Sequence, residues 1–338
     1  MKPLWKRLLP YVAYPAFFCF CLLLFTAWTF PHEALRERII VTFNAEQRKA
    51  SSPQELHIES IGSSWITGIK LKNVKLVTAS APPKDPTAPA DPPTELLLDE
   101  ARVRVSLLPL LIGRKTVSFV LDAFGGKIDG SFSESGKDRS VELSFDTVDT
   151  SKIGPLTGAL GLPVEGMLNG KIDLTMPEGK SSKGSGHVGL EITDMAAGDG
   201  KAKIKGTLAL PRITLGNLAF EADAKEGILK VTKFGTSGKD VDLSGEGKIQ
   251  MRELAMESLL DIFLKFKVND NYRGKNDITK SLFGAPGSSA PALFDMDPKV
   301  KSAKRADGYY SFHARGTLGR PDFEPAPNAG GSMPGGSK

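Results

Sequence analysis

Cysteine is nearly missing from this chain of 338 residues: Cys19 and Cys21 are its only two, and both lie in an apolar stretch near the amino terminus. Everything after that stretch can form neither a disulfide nor a thiolate metal centre. Histidine is also scarce. His32, His57, His187 and His313 are isolated from one another at no metal-ligand spacing, so solvated strand or loop histidines are expected instead of a metal site. A strong excess of one charge is lacking as well. The 44 Lys and Arg against 39 Asp and Glu leave a net charge of only +5, and aromatics are not interleaved with basic residues, so no nucleic acid partner is expected. No G-x-S-x-G elbow occurs. Gly179-Lys180-Ser181 imitates the end of a phosphate-binding loop, but Leu174 stands where its first glycine is required, and a hairpin turn is the better reading. Gly184-Ser185-Gly186 reads as linker. No catalytic residue, cofactor-binding residue, metal ligand or cofactor is assigned, and the expectation is a protein that is not an enzyme.

Long hydrophobic runs are likewise few, with one exception. From Leu8 to Phe30 there is no charged residue, and at 1.5 Å per residue a helix of that length reaches roughly 34 Å, enough to cross a hydrocarbon core. Pro10 sits at its edge and Pro15 inside it, where a kink is expected. Lys2, Lys6 and Arg7 would suit the basic region of a cleaved signal peptide. The run is too long for that, however, and no small-x-small site precedes Pro31. Residues 1–30 therefore read as a cytoplasmic stub and transmembrane anchor. Basic residues are nearly balanced across the span, but Lys6 and Arg7 abut it, whereas Arg36 and Arg38 are interleaved with Glu33 and Glu37. This favours the amino terminus inside and the bulk of the chain exported.

Beyond the span the period of the sequence changes. Residues 31–50 read as a membrane-proximal helix, with Leu35, Ile39 and Phe43 four apart. Residues 51–325 read as a β domain. Apolar residues alternate with polar ones in Ala101–Leu107, Gly126–Phe132, Val141–Phe145, Leu168–Met176, Val188–Ile192, Ala202–Leu208, Leu218–Ala222, Val241–Met251 and Tyr310–Leu318, the mark of strands with one apolar and one wetted face. The 35 glycines and 23 prolines fit many short strands joined by turns, such as Asp199-Gly200, Glu226-Gly227 and Gly238-Lys239. Three interruptions are expected: a Pro-rich loop over 79–94, a short helix over Ser151–Gly161 and an amphipathic helix over 252–268, with Leu254, Leu259, Ile262, Phe263 and Phe266 on one face. Residues 326–338 read as a disordered, Gly/Pro-rich tail.

The fold class is thus mainly β with a few helices: an anchor followed by a long curved antiparallel sheet. Glycines at inward strand positions suggest strong bending, so the apolar face lines a groove or incomplete barrel, or else forms the core of an ordinary β-sandwich. Leu168, Ile172, Leu190, Ile204, Leu208, Phe220, Leu243 and Ile249 are the candidate apolar lining, expected to point to one side.

Several stretches resemble the AsmA-like envelope proteins: Trp65-Ile66-Thr67-Gly68 through Leu76, Ala101–Gly113 with its Leu107-Leu108-Pro109-Leu110-Leu111 core, and Gly125-Gly126-Lys127-Ile128-Asp129-Gly130. Leu156–Gly170, and Asp307-Gly308-Tyr309-Tyr310-Ser311-Phe312 followed by Gly316–Phe323, resemble more specifically the type II secretion system protein N (GspN) family in its long form. The resemblance runs from the anchor to about Pro325 over loose β motifs that include no catalytic residue. It implies a single-pass bacterial inner-membrane protein with a periplasmic β domain, acting as an accessory component of the type II secretion system beside its other components. The AsmA-like grouping alone implies instead a lipid-binding or lipid-transfer protein, with phospholipid as partner.

Overall fold

The structure is a computed structural model and describes the chain from Tyr11 onward, except residues 12, 16, 19, 23, 26–28, 30, 48–53, 65–66, 79–93, 154–162, 201–202, 205–207, 210, 289–291 and 328–338. The Pro-rich loop over 79–93, the tail from 328 and most of the helix expected over Ser151–Gly161 therefore lie outside the described residues. So does much of the apolar run over Leu8–Phe30. Tyr11, Tyr14, Phe17, Phe18 and Phe25, within it, are helical and exposed. Among the described residues no helix is long and apolar enough to cross a membrane. The chain divides into two compact units, Met1–Ala123 and Phe124–Lys338, and both are mainly β.

In the first unit, α1 (His32–Gln47) precedes a four-stranded antiparallel meander of β1 (Gln54–Ser64), β2 (Gly68–Thr78), β3 (Thr94–Val105) and β4 (Arg114–Ala123). The expected membrane-proximal helix is thus present as a helix. Its side chains cap the open edge of β1: Asn44 Oδ1 accepts from the Leu56 N–H at 2.8 Å, and Arg36 Nη1 donates to the Glu59 carbonyl at 2.8 Å. An edge strand left bare would offer those groups to another chain. A single-turn helix, α2 (Leu107–Leu111), joins β3 to β4.

The second unit carries ten long antiparallel strands: β5 (Gly126–Ser135), β6 (Asp138–Asp149), β7 (Val164–Met176), β8 (Ser185–Ala197), β11 (Ile213–Lys225), β12 (Ile228–Ser237), β13 (Val241–Gln250), β14 (Leu259–Val268), β15 (Tyr310–Thr317) and β16 (Arg320–Pro325). Each pairs with the next long strand along the chain. Gly184 lies in the β7–β8 connection, while Ser185 and Gly186, read from the sequence as linker, already belong to β8. At the Glu226-Gly227 turn both residues have positive φ (50° and 74°), the requirement of a two-residue hairpin that matches strand twist.

The segment 252–268 is not a helix. After a 3-10 turn at Ala255–Glu257 it is strand β14, paired on both sides. The helical period comes from Leu259 and Phe263, both on the polar side of the strand, where Phe263 stacks on His313 with ring centroids 4.0 Å apart. Without these two, Leu260, Ile262, Leu264 and Phe266 alternate in the ordinary way. Ala202–Leu208 is corrected as well. Because β8 pairs directly with β11, the chain between them leaves the sheet, and its described strands form a separate two-residue ladder of β9 (Lys203–Ile204) with β10 (Leu208–Ala209).

Bulges interrupt the long strands at matched positions. Register shifts fall between Phe145 and Val148 and between Thr214 and Leu218, and Thr147 and Asp194 adopt positive φ (50° and 52°). At these two the N–H is taken by an asparagine: Thr147 by Asn169 at 2.9 Å and Asp194 by Asn217 at 3.2 Å. Such bulges bend a strand and add to its right-handed twist.

The last strand ends the sheet. The Ala326 N–H donates to the Ser311 carbonyl, which fixes the alternation: Arg320, Asp322 and Glu324 direct their backbone groups at β15, while Pro321, Phe323 and Pro325 direct theirs outward. Both prolines therefore occupy positions whose missing N–H would face solvent, leaving Phe323 as the one outward donor of the strand.

Gly170 has φ 151°, and a Cβ there would run into the Gly189 carbonyl and lie 2.8 Å from Leu190 Cα. Gly170→Ala is expected to destabilise the second unit by about 2–3 kcal/mol and to lower its melting temperature by roughly 5–10 °C, measured by thermal circular dichroism. Gly136→Ala, at a turn with nothing within 4 Å of its Cβ, should cost clearly less.

Candidate functional site: the apolar face of the second unit

Cross-strand pairing places one continuous row of positions over all ten long strands, eight with apolar side chains and two glycines: Gly130, Leu143, Ile172, Val188, Ala222, Val231, Gly247, Ile262, Ala314 and Phe323. No member is polar. The neighbouring row, one residue along, runs Ser131, Glu142, Asp173, His187, Asp223, Lys230, Lys248, Asp261, Arg315 and Asp322, and every member is polar. Because successive side chains in a strand point to opposite faces, the first row lies on an apolar face and the second on a polar one.

Six of the eight residues expected to line this surface share the apolar face. Leu168, Ile172, Leu190, Phe220, Leu243 and Ile249 have the same parity through the pairs Gly170↔Leu190, Leu190↔Phe220, Ile172↔Val188 and Leu229↔Ile249. Ile204 and Leu208 do not join them: their backbones pair with each other in the separate β9–β10 ladder. Leu260, Ile262 and Leu264 belong to the face and were hidden by the helical reading of β14.

Burial along the face is uneven in an informative way. Ala222 is fully buried and packs in one cluster with Val188, Ala224 and Leu229, and Val231 and Ala314 are buried as well. The larger side chains beside them, Ile172, Leu190, Phe220, Leu243 and Ile249, are only half-buried. Neighbouring strands lie about 4.8 Å apart, so side chains pack laterally and cover one another's stems. A second sheet would have covered their tips, but no second long sheet lies in this unit among the described residues. A half-covered Leu or Phe forgoes part of the roughly 1.5–3 kcal/mol that full burial contributes.

One end of the face is closed. Between β14 and β15 the chain forms α3 (Asp270–Arg273), α4 (Asp277–Phe283), a 3-10 turn (Leu293–Met296) and α5 (Pro298–Ala303). Phe294 of this insertion packs against Tyr310 and Phe266 of the face, with ring centroids 5.3 and 6.4 Å away, and is backed by Phe283 at 5.3 Å. Tyr272 is fully buried and donates to the Pro211 carbonyl at 2.6 Å. The buried Asp240 carboxylate accepts from the Thr214 N–H and from Asn271 Nδ2, at 2.8 and 3.0 Å, tying the insertion to the start of β11. At its centre the Tyr310 hydroxyl donates to Asp295 at 2.7 Å, and Lys304 pairs with the same carboxylate. Burial, reinforced by that carboxylate, pushes the Tyr310 phenol up. Burial also pushes Asp295 upward, but the hydrogen bonds from Lys304 and Tyr310 outweigh it and hold the carboxyl below its ordinary value.

The polar face holds ion pairs and no gathered chemistry. His187 Nδ1 lies 2.8 Å from Asp223, and His313 Nε2 lies 2.7 Å from Asp261, which also approaches Lys248 at 3.5 Å. The His313 hydrogen bond holds Asp261 below the usual carboxylate range against the opposing effect of burial. Among the described residues no group of three His, Cys, Asp or Glu is placed to hold a metal ion. In the first unit a shallow open cavity between α1 and β1 is lined by Arg36, Glu37, Ile40, Val41, His57 and Ile58, but Arg36 is already engaged with Glu33 and the Glu59 carbonyl. Compared with protein-family models, curated proteins and solved structures, the chain has no match.

Two aspartate substitutions separate an open face from a packed core. Leu190→Asp keeps its carboxylate within reach of water and is expected to cost about 1–2 kcal/mol, whereas Ala222→Asp buries a charge and should cost more than about 4 kcal/mol and unfold the unit. Urea unfolding of the two variants measures this. Equal, severe loss in both would mean that the face is closed.

Proposed function

We propose that this chain is a membrane-anchored accessory component of the type II protein secretion system, with its bulk in the periplasm and with the apolar face of the second unit as its working surface. The observation that carries the working surface is the row free of polar side chains across ten strands, flanked by large side chains left half-buried. The secretion assignment rests on the GspN-like stretches. Their described parts fall on ordered elements of the second unit: Val164–Gly170 on β7, and Tyr310–Phe312 with Gly316–Phe323 on the β15–β16 hairpin. The anchor rests on the uncharged run over Leu8–Phe30.

A second reading, lipid binding or transfer of the AsmA-like kind, is favoured by the same half-buried side chains. An acyl chain laid along the face would gain about 0.8 kcal/mol for each methylene it buries, while the polar face stays in water. In this reading phospholipid is the ligand itself, whereas in the first the face receives a partner component of the machine.

Reporter fusions placed after Ala50 and after Leu318 check the topology: reporters that work only outside the cytoplasm should be active at both sites. Activity only of cytoplasmic reporters would overturn the periplasmic placement. Deleting the gene separates the two functions. The secretion reading requires folded exoproteins to accumulate in the periplasm with outer-membrane lipid composition unchanged. The lipid reading requires altered lipid composition with secretion intact, and lipid co-purifying with the chain.

A further inference from the structure

The β3–β4 connection of the first unit is an exposed apolar knob. Leu108 is 80% exposed, Leu111 82% and Ile112 80%, with Leu107 and Leu110 near half. Loops between strands ordinarily carry polar residues at their tips, and a cluster of large aliphatic side chains in water signals a surface meant for something apolar. The knob is held in shape. The Ser106 N–H donates to the Thr116 carbonyl at 2.9 Å and closes its base, and the Ile112 and Gly113 N–H groups turn back onto Pro109 and Leu110 at 3.1 Å. Gly113, at φ 77°, makes the reversal. Directly behind the apolar tip stand Arg114 and Lys115, both exposed and neither in an ion pair with a described residue.

Placement adds a second argument. Along β1 the contacts with α1 run from Asn44 at Leu56 to Arg36 at Glu59, so the helix advances toward His32 as the strand advances toward Ser64. Ser64 pairs with Gly68 and Gly68 with Arg104, and the Val105 N–H donates to the Thr67 carbonyl. The His32 end of α1, to which the apolar run over Leu8–Phe30 is joined in sequence, therefore points toward the same end of this sheet as the Leu107–Ile112 knob.

We propose that the Leu107–Ile112 knob inserts into the surface of a lipid bilayer, with Arg114 and Lys115 seated on its anionic headgroups. An aliphatic tip backed by cations suits the boundary between acyl chains and anionic phosphates, where both contributions add. A protein partner would need an apolar groove rimmed by carboxylates, whereas an anionic bilayer presents acyl chains and phosphates over its whole surface. The proposal draws on the membrane-anchored reading for its second argument, and the test separates the two.

The full chain carrying Cys19→Ser, Cys21→Ser and Leu111→Cys, labelled with an environment-sensitive fluorophore, is reconstituted into phosphatidylcholine vesicles with or without phosphatidylglycerol. Brominated acyl chains then serve as quencher. Lys72→Cys, exposed on β2, is the control position. The label at 111 should be quenched at least about two-fold and the label at 72 left unchanged. Arg114→Glu with Lys115→Glu should weaken quenching in the anionic vesicles more than in the neutral ones. Co-flotation of the chain with an unquenched label at 111 would overturn the knob's insertion while leaving the anchor standing. A blue-shifted but unquenched label would overturn it in favour of a protein partner. Failure to float together with an unquenched label would overturn both.

Discussion

Strand parity is the constraint on which the second unit depends. Each long strand is paired on a register that sets its apolar set opposite its neighbour's, so one row reads Ile172, Val188, Ala222, Val231 while the next reads Asp173, His187, Asp223, Lys230. A slip of one residue in any strand would place about five carboxylates, amines and hydroxyls among aliphatic neighbours and as many leucines and valines in water. The penalty grows with strand length, and these strands are long. Bulges threaten that register, because each inserts a residue and shifts the phase of the alternation, yet Phe145 and Val148 stay on one face because the extra residue is taken up at Thr147, with its positive φ. The asparagines at 169 and 217, taking up the stray N–H groups of Thr147 and Asp194, hold those irregularities in place, so the strands bend without losing the order of their two faces.

The second constraint is thinness. Lateral packing within one layer covers Ala222 completely but leaves Leu190 and Phe220 half-covered, and among the described residues the aromatic insertion covers the end near Phe266 and Tyr310. The insertion is fastened by satisfied polar groups, Asp240 on one side and Asp295 on the other, each tied to backbone or side-chain donors. It is thus a fixed end wall, and the remainder of the face is where any occupant must lie.

Much of this was legible in the sequence because period-two alternation is a direct imprint of a half-wetted sheet. The antiparallel strands and the shared face of Leu168, Ile172, Leu190, Phe220, Leu243 and Ile249 follow from alternation alone. Three things hid the rest. Phe263 sits on the polar face against His313 and gives Leu259–Val268 a helical look. Ile204 and Leu208 alternate as well as any strand residue, but nothing local announces that β8 pairs with β11 and expels the chain between them. The exposure of Leu108, Leu111 and Ile112 was invisible too, since an apolar run of that length in a β sequence reads as core until the fold shows it at a hairpin tip.

The order of pairing also bears on how such a chain comes into being. In each unit nearly every long strand pairs with those immediately before and after it in sequence, so most contacts close short loops. A strand leaving the ribosome or a membrane pore finds its partner already in place and need not wait for distant segments. Folding can proceed from the first hairpin onward, at low entropic cost per step. The apolar face is built up in the same order, and the aromatic insertion that walls its end is synthesised only after β5 to β14. Until β14 is in place the nascent sheet is therefore an open, growing apolar surface, and the two prolines of β16 leave its outer edge with a single backbone donor.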